Sequence, residues 1–150
     1  MKIFDCFMYF DEDLVLDLRL NYLDKFVDKF VIVESTYNHK GERRKPLFNI
    51  DNFQKFKDKI TYLLLDEEAP DLMEINDEDN QDEKYGKLIM NAVKRENFQR
   101  NFITEGLKEV RDEDWIIISD LDEIPNFMSK FLKIFYIKER FSFFTFMIIG

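Results

Sequence analysis

The sequence predicts an α/β fold, a mostly parallel sheet flanked by helices, and three observations predict it. Short runs rich in β-branched and aromatic residues recur at 3–9, 30–33, 60–65 and 115–118. Segments with apolar residues at helical spacing separate several of them. The last run, Trp115-Ile116-Ile117-Ile118, is apolar throughout, as a strand buried on both faces should be, whereas a half-buried strand alternates with polar residues.

Taken in order, Ile3 to Tyr9 has the content of a first strand. The acids Asp11-Glu12-Asp13 follow where a helix presents its positive end. Leu16, Leu20, Leu23, Val27 and Phe30 recur at spacings of four and three, with Asp17, Arg19, Asp24 and Lys25 elsewhere on the wheel, which predicts an amphipathic helix. Phe30 to Val33 is a second buried strand ending in Glu34-Ser35-Thr36. Strand, helix, strand is the unit that builds a parallel sheet.

Residues 36–47 form a polar loop with Gly41, the basic residues Lys40, Arg43, Arg44 and Lys45, and Pro46. That basic patch suits a diphosphate or a sugar, or is merely solvated. His39, the one histidine, reads as an exposed loop residue. Asn52 to Lys59 predicts a short helix and Ile60 to Leu65 a third strand. The acid-rich residues 66–83 predict a connecting loop. Lys84 to Val110 predicts a long helix with Leu88, Ala92, Phe102, Ile103, Leu107 and Val110 on its apolar stripe. Arg95 and Gln99 interrupt that stripe, and polar groups turned inward need partners. Glu96 and Arg100 stand i, i+4, the spacing of a surface ion pair.

A chain of 150 residues with 45% hydrophobic and 16% aromatic content is one domain's worth and can bury a substantial core. Its net charge of −9 argues against a general binder of nucleic acid or anionic membranes, because phosphates would be repelled. Any phosphate ligand then needs local cations or a metal. The single cysteine, Cys6, cannot make an internal disulfide, which fits a reducing compartment. The amino terminus lacks the basic start of a signal peptide, and no window reaches the roughly 18 apolar residues of a spanning helix. The expectation is a soluble, cytoplasmic protein with no transmembrane segment.

Ser119-Asp120-Leu121-Asp122-Glu123-Ile124-Pro125 follows the buried strand 115–118 directly. Asp-x-Asp alone is weak here, since 11–13, 77–79 and 112–114 carry similar acids, but only this copy follows a buried strand. Ligands bind at the carboxyl edge of open α/β sheets. Alternation along an extended backbone would point Asp120 and Asp122 one way and Leu121 into the core. Two carboxylates so placed suit Mg²⁺ or Mn²⁺, which take oxygen ligands shared with phosphates and water. The bland alternative is a pair of solvated acids ending a strand.

Four blocks together resemble glycosyltransferase family 17: Phe4 to Tyr9 with Glu12-Asp13-Leu14 and Arg19-Leu20; Val27 to Ser35; Arg95 to Arg100; and Ser119 to Pro125. The resemblance implies a GT-A type fold, UDP-N-acetylglucosamine as donor, Mn²⁺ or Mg²⁺, and inverting transfer to a hydroxyl of a glycan acceptor. It implies that Asp120 and Asp122 hold the metal, with Asp120 also facing the donor, and that Glu123 orients a metal water or touches the donor sugar. Arg95, Gln99 and Arg100 become candidates for the diphosphate or sugar, Glu96 and Asn97 for their support, and Asp5 and Glu34 for the uridine.

The expected organisation is a donor-binding domain over 1–125 and a Phe-rich tail over 126–150, with the fold incomplete at its carboxyl end relative to the family. The family's base for the acceptor proton is expected after the metal motif, where Glu139 is the one carboxylate. Two other readings share parts of this pattern. A phosphohydrolase using the first aspartate after a buried strand as nucleophile has the same bare outline, and a truncated, non-catalytic remnant has the same acids.

Overall fold

The computed structural model describes residues 1–127 and the backbone of 146–148. Five strands form one parallel sheet: β1 (Ile3–Tyr9), β2 (Lys29–Ser35), β3 (Ile60–Leu65), β4 (Trp115–Ile118) and β5 (Phe146–Ile148). Their order is β3-β2-β1-β4-β5. The chain steps outward from β1 to β3 and then crosses back to β4 on the other side. The order therefore reverses between β1 and β4, the position where doubly wound sheets open a crevice at the strands' carboxyl ends. The predicted strands are borne out as parallel neighbours, with Cys6 level with Val31 on one side and Ile118 on the other. The expected tail lies outside the described residues, apart from 126–127 and the backbone of β5.

Strand alternation sorts the core into two faces. Phe7, Tyr9, Phe30 and Ile32 face helix α1 (Asp13–Leu23) and a 3-10 segment (Ile50–Phe56), which supply Leu16, Leu20, Leu23, Phe53 and Phe56. Phe4, Cys6, Val31, Val33 and Ile116 face the opposite layer, where Ile103 and Leu107 cover them. That layer holds helix α2 (Gln81–Phe102), which opens on an Asn80–Glu83 capping box and runs into a 3-10 turn, Ile103–Gly106.

Three helical expectations change. The short helix predicted over 52–59 is the 3-10 segment Ile50–Phe56, broken at Phe53. α1 ends at Leu23, so Val27 lies in the following turn and Phe30 in β2, although both are buried. The helix predicted over 84–110 is α2 plus the separate 3-10 turn, and its apolar stripe holds only at the carboxyl end. Leu88 is 45% exposed, and the buried position of α2 is Asn91. The amino-terminal half of α2 meets the connection 66–80 through hydrogen bonds, not the sheet through apolar contact. Asn91 Nδ2 donates to the Met73 carbonyl at 2.9 Å, and the Met73 N–H donates to Asn91 Oδ1 at 2.8 Å.

Candidate functional site

A cavity of ≈ 450 Å³ opens at the reversal point, where the tip of β1 (Met8, Tyr9, Phe10) meets the segment after β4 (Asp120, Leu121, Asp122). α2 contributes Glu96 and Gln99, the start of α1 contributes Glu12 and Val15, and the loop after β2 contributes His39. The size suits a small-molecule ligand. Both acids of the Asp-x-Asp stretch therefore reach one cavity. A turn brings them there, because the strand stops at Ile118 and the Glu123 N–H donates to the Asp120 carbonyl at 3.0 Å. Alternation along an extended strand, the reason expected from sequence, operates only up to Ser119.

The turn is built on Arg19, which the wheel placed outside and the structure buries completely. Its Nε and Nη2 donate to the two carboxylate oxygens of Asp5 at 2.9 and 2.8 Å. Nη2 also donates to Ser119 Oγ at 2.7 Å. Nη1 donates to the carbonyls of Asp120, Leu121 and Glu123 at 2.7, 3.0 and 3.3 Å. Every N–H of the guanidinium thus has an acceptor, and three of the acceptors are backbone atoms of the acidic turn. Burial pushes the Asp5 carboxyl up, against the pull of the Arg19 hydrogen bonds and charge.

On the opposite face, Arg100 donates to Asp120 Oδ1 at 3.0 Å and to Glu96 Oε1 at 3.1 Å, the ion pair that the i, i+4 spacing suggested. The Asp120 side chain remains 52% exposed. Among the described residues, no group of three or more His, Cys, Asp or Glu side chains gathers as a metal-binding cluster. A cation here would have the two carboxylates of Asp120 and Asp122 as protein ligands. That donor set fits Mg²⁺ or Mn²⁺, which usually complete their shell with waters and substrate phosphates.

The family model described as "Glycosyltransferase family 17" matches residues 1–136 of the chain. The chain belongs to glycosyltransferase family 17. Similar proteins include the β-1,4-mannosyl-glycoprotein 4-β-N-acetylglucosaminyltransferases of Homo sapiens, Rattus norvegicus and Mus musculus, each 29% identical over 119 residues. The match covers 74% of this chain and 19% of each relative, so the chain spans about a fifth of the length of the curated relatives it matches. No solved structure matches it.

The remaining candidates of this family 17 chain divide between the cavity and its supports. Glu96 and Gln99 line the cavity, with Gln99 Nε2 donating to the Val33 carbonyl at 3.0 Å. Asn97 is exposed on α2 and is not among the lining residues. The Glu123 carboxylate accepts the Asp120 N–H at 3.3 Å, closing the turn from its far end. Arg95 donates to Glu68 Oε1 at 2.7 Å and to the His39 carbonyl at 3.2 Å, so its guanidinium ties the loop after β2 to α2.

Asp5 and Glu34, expected to meet the uridine, do not reach the cavity. Asp5 has both oxygens taken by Arg19. Glu34 is buried and accepts from the N–H groups of Leu47 and Phe48 at 2.7 and 3.1 Å and from the Tyr62 hydroxyl at 2.8 Å. Both acids lie on strand faces that point into the α1 layer, which is why their position near the strand ends does not expose them. His39, Phe10 and Glu12 are among the cavity residues that sequence reading passed over. The signal for Phe10 was its place at the tip of a strand beside the reversal point; for His39 there was none without the loop's fold. Among the described residues, no helix is long and apolar enough to cross a membrane.

Proposed function

We propose that residues 1–125 are the donor-binding part of a metal-dependent inverting glycosyltransferase, which transfers N-acetylglucosamine from UDP-N-acetylglucosamine to a hydroxyl of a glycan. The observation that carries this reading is the convergence of Asp120 and Asp122 on one cavity at the reversal point of a parallel sheet. Family membership and the activity named for the similar transferases support the reaction class and the sugar.

In this reading Asp120 and Asp122 hold Mn²⁺ or Mg²⁺ against the donor diphosphate. The cation supplies Lewis-acid stabilisation of the charge that grows on the departing nucleoside diphosphate. The chain's own contribution is placement. Arg19 fixes the three carbonyls of the acidic turn, Glu123 anchors the Asp120 N–H, and Arg100 pairs with Asp120, from where it would donate to the diphosphate. A turn held at both ends loses little freedom when the ligand arrives, which is how preorganisation raises affinity.

Calorimetric titration of UDP with and without Mn²⁺, on the wild type and on Asp120→Ala/Asp122→Ala, tests the proposal. UDP should bind the wild type more tightly with Mn²⁺, and the double variant should lose that dependence. Equal affinity in all four titrations would remove the metal site.

A further inference from the structure

Helix α2 ends on the sheet but begins away from it. Its carboxyl-terminal half meets the core through Phe102 and holds the Val33 carbonyl through Gln99. In its other half five large apolar residues, Tyr85, Leu88, Ile89, Met90 and Val93, stay between 42% and 64% exposed. Single surface hydrophobics are ordinary, but a cluster of them on one helix marks an interaction surface. Met73 extends the cluster, because its backbone is bound to Asn91 by two hydrogen bonds while its side chain is also exposed. The helix is firmly held on its other side. Lys87 pairs with Asp79 at 2.6 Å, and the Asn80–Glu83 capping box closes the first turn.

Tyr85, Leu88 and Ala92 follow the three-and-four spacing of a helix-to-helix seam, with Ile89 beside them, and none of these positions carries a charge. Charge lies at the two ends instead. The first turn carries Asp82 and Glu83, and residues 92–102 carry Lys94, Arg95 and Arg100 against one acid, Glu96. Two such helices packed antiparallel set acids against bases and oppose their macrodipoles, whereas a parallel pair stacks acid on acid. Size is self-complementary too. With a two-fold axis between Leu88 and Ile89, Tyr85 comes opposite the partner's Ala92 and Leu88 opposite the partner's Ile89, the reciprocity that a symmetric pair requires.

The exposed side chains amount to roughly 500 Å² per copy, so a pair removes about 1,000 Å² from water before any polar rim is counted, the lower bound for a specific interface. Asp77, Glu78 and Asp79 stand just before the helix and would be repelled by an anionic membrane. We propose that this face joins two copies of the chain into a homodimer through antiparallel α2 helices. An interface of this size places the dimer among weak, reversible associations, with micromolar dissociation.

Sedimentation velocity of the whole chain from about 1 to about 200 μM should show a reversible shift from monomer to dimer. Ile89→Glu should stay monomeric over that range and, in dilute solution, keep the thermal midpoint of the wild type, because residue 89 stands in solvent in the monomer. Cysteine pairing reads the orientation. Tyr85→Cys and Ala92→Cys, mixed and gently oxidised, should form a mixed disulfide dimer. Neither should cross-link alone, because like positions stand about 10 Å apart along the pair. Cys6 is buried and does not compete. A chain that stays monomeric at every concentration overturns the proposal, and its adsorption to phosphatidylcholine vesicles would then give the face to a membrane. Self-cross-linking of Tyr85→Cys overturns the antiparallel register, and a dimer that survives Ile89→Glu overturns the choice of face.

Discussion

Arg19 and Asp5 form a two-pronged ion pair at 2.9 and 2.8 Å, with both side chains fully buried beneath the acidic turn. Removing one partner of such a pair leaves a buried charge without compensation, at a cost of about 3–5 kcal/mol. Arg19→Met should therefore lower the urea midpoint severely. Pairing it with Asp5→Leu should recover part of that stability, because no charge is then stranded. The recovered fold still lacks donors for the carbonyls of Asp120, Leu121 and Glu123. The double variant should thus remain defective in Mn²⁺-dependent UDP binding, and a double variant that binds like the wild type would show that Arg19 serves stability alone.

That pair also marks where sequence reading stopped. Continuous apolar runs are a direct signature of strands buried on both faces, so β1 to β4 and their parallel arrangement were legible from residues such as Ile32 and Ile117. Arg19 was not, because a helical wheel assigns charge to the solvent side. It lies between Leu16, Leu20 and Leu23 on the inward face, and only the Asp5 carboxylate and the distant turn make its burial tolerable. The same limit applies to Asp5 and Glu34, whose partners come from other parts of the chain. The acids of the site could be picked out by their place after a buried strand, but the turn that aims them depends on a side chain 101 residues away from Asp120.

Gly106 gives a packing test of the second layer. A Cβ at this position would stand 2.5 Å from Val31 Cγ1 and 3.1 Å from Leu63 Cδ1, with sheet side chains beneath it. The 3-10 turn Ile103–Gly106 can approach β2 and β3 this closely because residue 106 has no side chain. Gly106→Ala should destabilise the fold by about 1–3 kcal/mol, the usual cost of overpacking. Thermal melts followed by far-UV circular dichroism would show it, and an unchanged midpoint would mean that the layer slides outward freely.

Acid sensitivity should be traceable to particular pairs. Lys59 stands 3.0 Å from Asp24 and Lys55 stands 3.6 Å away. The hydrogen bond from Lys59 leads in holding the Asp24 carboxyl below its ordinary value of 3.8. A carboxyl whose folded pKa is depressed contributes stability above the unfolded value and loses it as pH falls through the folded one. Urea midpoints compared between about pH 5 and about pH 2 should therefore fall less steeply for Asp24→Asn than for the wild type. High salt should narrow the difference, since the pair is partly exposed. Parallel curves at low salt would show that Asp24 contributes nothing to the acid limb.

Arg100 allows a test in which two affinities move in opposite directions. Its guanidinium occupies Asp120 Oδ1 at 3.0 Å, so at the proposed metal site a cation and the arginine would compete for one carboxylate. The pair is solvent-accessible and worth about 0.2–1 kcal/mol. Arg100→Ala should thus raise the affinity for Mn²⁺ alone by no more than about fivefold, as read by loss of the free-ion signal in electron paramagnetic resonance. With nucleotide present the sign reverses. With a cation on Asp120, the arginine would be free to donate to the diphosphate, and a charge-assisted hydrogen bond of about 1.5–3 kcal/mol would be missing in the variant. UDP affinity at saturating Mn²⁺ should then fall by roughly 10- to 100-fold. If both affinities fall together, Arg100 orients Asp120 for the metal; if neither changes, the 3.0 Å contact is a surface pair with no part in binding.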